Sequence, residues 1–145
     1  MFKHILLPTD GSPFSEAAVE KGINFAKNID ARITGLCVVP KEYPSYYEAE
    51  IPGAFMDKAA AECRENAKIH LAALTKVAQN EGVACNAVME RSDQPYEVII
   101  EVAEQKGCDL IMMASHGRRG VGALLLGSET QKVLTHSKIP VLVYR

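Results

Sequence analysis

The sequence predicts an α/β protein built on one doubly wound, mainly parallel sheet. Three observations favour this class: short apolar runs alternate with longer amphipathic segments, turn residues separate them, and their order is β-α-β-α-β-α-β-α-β. Strands that alternate with helices require right-handed crossovers, which place helices on both faces of the sheet. A chain of 145 residues is the usual size of a single domain, so we expect one domain over residues 1–145.

The first strand and the first helix are separated by a proline-containing turn. Residues 2–7 form a short apolar run that Pro8 ends, as expected of a buried strand. Ser12 offers a hydroxyl N-cap, and Pro13 stands at the first helical position, where proline is tolerated. Apolar residues at helical spacing then predict the helix, and they are Ala18, Gly22, Phe25, Ala26 and Ile29.

The second strand and a long helix flank the most loop-like part of the chain. The strand runs from about residue 32 to residue 39. Residues 40–53 contain three tyrosines and three prolines and are predicted to be irregular. The long helix covers about residues 55–79 and ends at residues 80–82. Its apolar stripe consists of Ala60, Cys63, Ala67, Leu71, Leu74 and Ala78.

The third strand and the third helix follow in a shorter unit. Apolar residues alternate over residues 83–89, which predicts a strand. Asp93 is expected to cap the next helix, with Pro95 inside its first turn. Gly107 is expected to end that helix, because glycine commonly follows the last helical residue.

The last part of the chain contains the fourth and fifth strands with a helix between them. Residues 110–114 are apolar enough for a strand that is buried on both faces. A glycine-rich loop covers residues 115–126, and Ser128 begins the last helix. Residues 139–144 are predicted to form the fifth strand.

Composition and spacing argue against several classes of protein. The 16 basic and 18 acidic residues leave a net charge of −2, so no general cationic surface for nucleic acid is expected. No apolar stretch approaches the roughly 20 residues of a membrane span, and the apolar run after His4 is too short for a signal peptide. The cysteines lack metal-ligand spacing, which favours reduced thiols in a cytoplasmic protein; they are Cys37, Cys63, Cys85 and Cys108.

Two loops at the carboxyl ends of strands carry the candidate chemistry, because ligands of doubly wound sheets bind there. Residues 8–12, with the sequence PTDGS, follow the first strand, and residues 115–128 follow the fourth. The second loop is rich in glycine, so its N–H groups can converge on an anion, and the helix at Ser128 adds its positive dipole end. From these residues alone, anion binding and a simple flexible connection are equally supported. The loop glycines are Gly117, Gly120, Gly122 and Gly127.

The sequence resembles the universal stress protein family over nearly its whole length. The resemblance is carried by residues 5–12 (ILLPTDGS), residues 109–117, the LLGS turn at 125–128 and the closing IPVLV at 139–143. It implies a five-stranded parallel sheet of order 3-2-1-4-5 with helices on both faces, a Rossmann-like architecture of the adenine nucleotide alpha hydrolase-like type. It also implies a role in stress response.

The resemblance further implies an ATP site. One branch of the family binds ATP through the pattern G-x-x-G, nine residues, then G-[ST]. Gly117, the nine residues after it, Gly127 and Ser128 match this pattern, but Ala114 stands at the first glycine position. The methyl group of Ala114 is expected to crowd the phosphates or the ribose, and its backbone N–H is retained. We therefore expect weakened rather than lost binding.

The resemblance assigns roles to further residues around this pattern. Asp10 would bond the ribose or support the Mg²⁺–phosphate end, and Pro8 and Thr9 would line the pocket. Backbone groups near Val38 would contact adenine, with Met113 packed beside it. Mg²⁺ would be held through the phosphates rather than by a protein metal site. The phosphates and ribose would be held by Gly117, Gly127, Ser128, Glu129 and Thr130. Apart from the resemblance, the loop offers His116, Arg118 and Arg119 as candidate phosphate contacts, and solvation is an equal interpretation of the two arginines.

Structural interpretations of some of these residues stay open. The alternative for Asp10 is that it only closes an Asx turn. The negative charge of Glu129 stabilises a helix N-terminus. Placed directly against a triphosphate, the same charge would repel the phosphates. His116 is better interpreted as a loop histidine that makes a hydrogen bond. No Ser/His/Asp arrangement is visible, so no catalytic residue is predicted.

The leading hypothesis is a cytoplasmic stress-response protein that binds ATP, or AMP or ADP, with Mg²⁺ and hydrolyses it slowly or not at all. The resemblance implies a homodimer through the last strand, and an apolar edge strand is open to such pairing. The alternatives are a dimeric interaction module without nucleotide, a slow ATPase or nucleotidyl-transfer enzyme, and a flavin carrier. The predicted dimer residues are Val141, Leu142, Val143 and Tyr144.

Overall fold

Parallel strands form one five-stranded sheet in the computed structural model, which describes residues 1–41, 53–117 and 125–145. The strand order is β3-β2-β1-β4-β5, and the crossover connections contain helices. The predicted α/β class and the order 3-2-1-4-5 are confirmed. The strands are β1 (His4–Pro8), β2 (Arg32–Val39), β3 (Cys85–Arg91), β4 (Leu110–Ala114) and β5 (Val141–Tyr144), and the helices are α1 (Pro13–Asn28), α2 (Gly53–Asn80), α3 (Pro95–Lys106) and α4 (Ser128–His136).

Each face of the sheet is covered by its own apolar cluster. Ile5 and Leu7 of β1 pack with residues of α1 and α2 on one face, whereas Leu6 packs with residues of α3 and α4 on the other. Successive side chains of a strand point to opposite faces, so β1 is buried on both. Burial of each of these side chains contributes about 1.5–3 kcal/mol. The two clusters therefore hold β1 at the centre of the sheet.

Three strand boundaries differ from the sequence prediction, and each has a local cause. β1 begins at His4, because the N–H groups of Lys3 and His4 donate to the carboxylate of Asp109 at 2.8 and 2.9 Å. β3 begins at Cys85, because the N–H of Val83 still donates to the end of α2. β5 begins only after Pro140, which has no N–H to donate to a strand.

The predicted cap of α3 by Asp93 is wrong. The N-cap residue is Gln94, whose side chain makes no capping hydrogen bond. The carboxylate of Asp93 instead accepts the N–H of Lys41 at 3.0 Å. A carboxylate oxygen of Glu129, at the start of α4, accepts the N–H of Tyr96 in the first turn of α3 at 3.0 Å. The cap is therefore supplied by another helix on the same face of the sheet.

The sheet order places two loops side by side. β1 pairs with β4 in parallel, with Leu6 opposite Ile111, so the loops that follow these strands leave the same edge of the sheet. No helix of the described residues is long and apolar enough to cross a membrane. None of the four cysteines, all of which lie in the described ranges, forms a disulfide.

His4 lies buried at the opposite, amino end of the sheet. Its side chain is 5% exposed, and its Nε2 lies 2.8 Å from the hydroxyl of Thr34. Within the described parts of the chain, its Nδ1 has no hydrogen-bond partner. Burial, followed by the nearby charge of Arg32, lowers the pKa of His4 below its usual value. His4 is therefore held in the neutral form in the folded protein.

The buried His4 predicts that the protein loses stability in mild acid. Because its pKa is lower in the folded than in the unfolded chain, the unfolded chain binds more protons below about pH 6.5. The free energy of unfolding should fall as the pH drops from there towards the folded-state pKa. Urea unfolding across this range should show the slope in the wild type and a weaker slope in His4→Gln. His136→Gln, at an exposed histidine, is the control and should keep the slope; an equal slope in His4→Gln would contradict the account.

Candidate functional site

The loop after β1 is held by hydrogen bonds to the start of α1 and to β2. The N–H of Thr9 donates to the carbonyl of Leu36 at 2.8 Å. One carboxylate oxygen of Asp10, Oδ1, accepts the N–H of Ser12 at 2.9 Å and the hydroxyl of Ser15 at 2.8 Å. The hydroxyl of Ser12 caps α1 by accepting the N–H of Ser15 at 3.2 Å. Asp10 therefore closes an Asx turn, and these bonds fix its carboxylate.

Gly11 follows Asp10 in a left-handed backbone conformation, with a φ of +76°. Its N–H donates to the hydroxyl of Thr9 at 3.2 Å. A Cβ built on Gly11 would lie 2.1 Å from Nε2 of His70, a residue of α2. Two constraints therefore require glycine at this position: the left-handed φ and the ring that fills the space of a side chain.

The loop after β4 is bonded to the start of α4. The N–H of Ser115 donates to the carbonyl of Tyr144 in β5 at 2.8 Å, and the carbonyl of Ser115 accepts the N–H of Gly127 at 2.8 Å. The hydroxyl of Thr130 donates to the carbonyl of Ala114 at 2.9 Å. These bonds place the first turn of α4 directly beyond the carboxyl end of β4.

His116 makes hydrogen bonds within this loop through both ring nitrogens. Its Nε2 contacts the carbonyl of Leu125, and its Nδ1 lies 2.8 Å from the hydroxyl of Ser115. A carbonyl only accepts, so Nε2 carries the proton, and in the neutral ring Nδ1 accepts from the hydroxyl. The ring also lies 6.0 Å from the ring of Phe14 in α1. His116 thus acts as the loop histidine that the sequence favoured.

The two loops meet at Asp10 and Gly117. A Cβ built on Gly117 would lie 2.5 Å from Oδ2 of Asp10, which means that the carboxylate occupies the place of a side chain. The structure therefore brings together the two motifs that the sequence singled out, and their contact depends on a glycine at position 117.

The N-terminus of α4 opens beside this contact. Its N-cap residue is Gly127, which has no side chain to accept from the first N–H groups of the helix. A Cβ on Gly127 would lie 3.1 Å from the carbonyl oxygen of Ser115 and 3.5 Å from Cα of His116. Ser128 is exposed at the first helical position. These backbone N–H groups and the helix dipole favour an anion at this end of α4.

The remaining predicted pocket residues lie at strand ends near these loops. Pro8 ends β1 and is half-buried, and Val38, near the end of β2, is partly buried against the cluster on the α3 and α4 face. Met113 and Ala114 end β4 and are 7% exposed. All four residues stand at the carboxyl edge of the sheet, where the sequence analysis placed the pocket.

Glu129 and Thr130 use their side chains inside the protein. Besides its bond to Tyr96, Glu129 lies 3.3 Å from Nζ of Lys132 through its other carboxylate oxygen. The hydroxyl of Thr130, which is buried, is engaged on Ala114. The side chains of both residues are therefore engaged within the protein, and only their backbone N–H groups remain as candidate donors to a ligand. Four further residues of the predicted loop lie outside the described residues: Arg118, Arg119, Gly120 and Gly122.

His70 is a residue near the site that the sequence analysis did not select, because no metal-ligand spacing surrounds it. The spacing along α2 could have indicated His70, because it lies three residues after Ala67 and four before Leu74. Both of these residues are buried, so His70 lies on the inward face of the helix. In the described parts of the chain, no three His, Cys, Asp or Glu side chains group as a metal site would require.

A family model settles the relationship of the chain to known proteins. The model of the universal stress protein family matches residues 1–145. The chain belongs to the universal stress protein family. Universal stress protein MJ0531 of Methanocaldococcus jannaschii is 32% identical over 145 residues, which cover all of this chain and 83% of the relative.

Solved structures of universal stress proteins share this fold. The structure of MJ0577, from the same archaeon, has a TM-score of 0.81 and 30% identity, and the match covers 99% of this chain and 95% of that one. A universal stress protein in complex with cAMP has a TM-score of 0.71 and 19% identity, with coverage of 99% and 97%. At that identity the second likeness concerns the fold alone.

The contact between Asp10 and Gly117 predicts a coupled effect of substitution. Gly117→Ala should lower the free energy of unfolding by about 1–3 kcal/mol, because the new methyl group displaces the carboxylate. In an Asp10→Ala background the same change should cost less, since the colliding oxygen is gone. Urea unfolding of the four proteins measures this coupling, and an equal cost in both backgrounds would show that the two residues do not touch.

Proposed function

We propose that this universal stress protein domain, residues 1–145, binds ATP, or AMP or ADP, with Mg²⁺ in the crevice between the loops after β1 and β4. One observation supports the proposal above the others. The carboxylate of Asp10 occupies the space that a Cβ on Gly117 would need, and the start of α4, which no side chain caps, is bonded to the same loop. A negative group and the positive end of a helix thus stand at one edge of the sheet.

A nucleotide complexed with Mg²⁺ suits this combination of charges. Its ribose hydroxyls are donors for a carboxylate, and its phosphate oxygens are acceptors for helical N–H groups. Mg²⁺ prefers oxygen ligands and is commonly bound through phosphates with one carboxylate, a role that Asp10 would fill. A bare anion would be repelled by that carboxylate. The choice of an adenine nucleotide has a precedent at the level of the fold, since one universal stress protein with this fold is known in complex with cAMP.

The roles of the other predicted residues follow from placing the nucleotide in this crevice. Backbone groups near Val38 would contact adenine beside Met113, and Pro8 and Thr9 would line the pocket. The N–H groups at the start of α4 would hold the phosphates, with Arg118 and Arg119 as further contacts. We assign His116 to holding the loop, because both of its ring nitrogens are engaged there. The phosphate-binding N–H groups would be those of Gly117, Gly127, Ser128, Glu129 and Thr130.

We propose that binding is regulatory, in the cytoplasm and in response to stress, with slow or no hydrolysis. Asp10 and His116 are each bonded to a serine hydroxyl, but these serines, Ser15 and Ser115, are buried, so neither hydroxyl is placed to attack a bound nucleotide. Several turnovers per minute that Asp10→Ala abolishes would instead favour an ATPase.

We propose in addition that two copies pair through β5. This strand ends the order of the sheet, so one of its edges has no neighbouring strand in the described structure. Its side chains are only partly covered, and Leu142 is 36% exposed. Edge strands of this kind are open to pairing with a second chain. The proposed interface residues are Val141, Leu142, Val143 and Tyr144.

Calorimetric titration with ATP and Mg²⁺ tests the nucleotide site. Gly127→Val should abolish binding, because its branched side chain fills the phosphate space and presses on the carbonyl of Ser115. Leu126→Val places the same side chain one residue earlier and should bind like the wild type. Ala114→Gly should tighten binding by relieving the crowding expected at that position.

Absence of heat up to millimolar ATP, with circular dichroism showing an intact fold, would contradict the nucleotide proposal and favour the dimeric interaction module. Unchanged affinity of Ala114→Gly would contradict only the interpretation of that alanine. If Gly127→Val retains wild-type affinity, the start of α4 does not bind the phosphates.

Sedimentation measurements test the dimer. The wild type should sediment as a dimer, and Leu142→Asp should sediment as a monomer, because it buries a charge in the proposed interface. Ile69→Asp is the matched control: Ile69 is 62% exposed on α2, away from β5, and its replacement should leave the dimer intact. A monomeric wild type, or a dimer that survives Leu142→Asp, would contradict pairing through β5.

A further inference from the structure

The ring of His70 fills the space beside Gly11. The three heavy atoms nearest to a Cβ built on Gly11 are ring atoms of His70: Nε2 at 2.1 Å, and Cδ2 and Cε1 at 2.5 Å. These distances mean that the ring points its Nε2 end at the backbone of the loop after β1. A side-chain ring from α2 thus takes the place that a side chain of residue 11 would need.

Packing of α2 determines where this ring stands. Ala67, Leu71 and Leu74, which surround His70 on the helix, are 2%, 6% and 3% exposed and belong to the apolar clusters under the sheet. On its other side, Nδ1 of His70 lies 3.9 Å from a carboxylate oxygen of Glu16 in α1. The buried neighbours of His70 therefore fix the stretch of α2 that carries the ring, and the ring lies between Glu16 of α1 and Gly11 of the loop.

Gly11 connects the two residues that define the geometry of this loop. It follows Asp10, whose Oδ1 accepts the N–H of Ser12, and it precedes Ser12, which caps α1. Its left-handed φ of +76° belongs to a residue with unusual backbone freedom. The ring of His70, packed against Gly11, restricts that freedom. The contacts therefore run from His70 through Gly11 to Asp10, and from Asp10 to Gly117.

We propose that His70 is a positioning residue of the nucleotide site: its ring, by packing on Gly11, holds the carboxylate of Asp10 against Gly117. This inference rests on the proposed function for its effect on binding, but the positioning itself does not require a nucleotide. Without the ring, the turn at Gly11 samples more conformations, and a ligand must order it on binding, which weakens affinity.

Three variants separate the packing of the ring from other roles. His70→Ala removes the ring that packs on Gly11, and His70→Phe keeps an aromatic ring without the nitrogens. Ile69→Ala is the control, because it shortens an exposed neighbour on the same helix. We expect the Kd for ATP with Mg²⁺ to rise about tenfold in His70→Ala, which corresponds to about 1.4 kcal/mol. His70→Phe should restore most of the affinity, and Ile69→Ala should match the wild type.

Nuclear magnetic resonance of the nucleotide-free protein tests the positioning separately. An aromatic ring beside Gly11 shifts the resonances of its α-protons, so these should move towards random-coil values in His70→Ala and stay shifted in His70→Phe. Amide hydrogen exchange of residues 10–12 should become faster in His70→Ala alone.

These two readouts distinguish the failure of each proposal. If the wild type binds no ATP but the Gly11 resonances and the exchange rates respond as expected, the nucleotide proposal fails and the positioning role of His70 stands. Unchanged resonances and exchange in His70→Ala would overturn the positioning role. So would a His70→Phe variant that binds ATP as weakly as His70→Ala while the wild type binds it well.

Discussion

The candidate site depends on one close approach, that of the carboxylate of Asp10 to Gly117. The approach requires β1 and β4 to be neighbours, so that the loops after them leave the sheet side by side. It also requires that residue 117 has no Cβ, since the carboxylate occupies that space. Sheet order and one glycine together therefore bring a charge from the first loop onto the second.

The rest of the fold keeps this approach in place from both faces. On one face, α2 brings His70 against the first loop, and the buried part of α2 fixes the position of the ring. On the other face, Thr130 attaches α4 to the end of β4, and Glu129 attaches it to α3. The side chain of Glu129, which the family resemblance placed at the nucleotide, thus contributes by orienting the helix whose N-terminus faces the crevice.

Much of the fold follows from the sequence, whereas the contacts between distant elements do not. The apolar runs that became β1 and β4 predict buried central strands, and the turn at Asp10 follows from local chemistry. The strand order came from the family resemblance. The start of β1 and the role of Glu129 depend on partners 105 and 33 residues away, so local patterns could not predict them. The sequence does not indicate the position of His70, because the packing of a ring against a glycine leaves no motif.

A crystal structure of the protein grown with ATP and Mg²⁺ tests the central claim most directly. The account predicts electron density for the nucleotide in the crevice, with the ribose or the metal at Asp10 and phosphate oxygens on the N–H groups of Gly127 and Ser128. Density for the nucleotide elsewhere on the molecule would contradict it. A crevice filled by the protein's own side chains would contradict it equally.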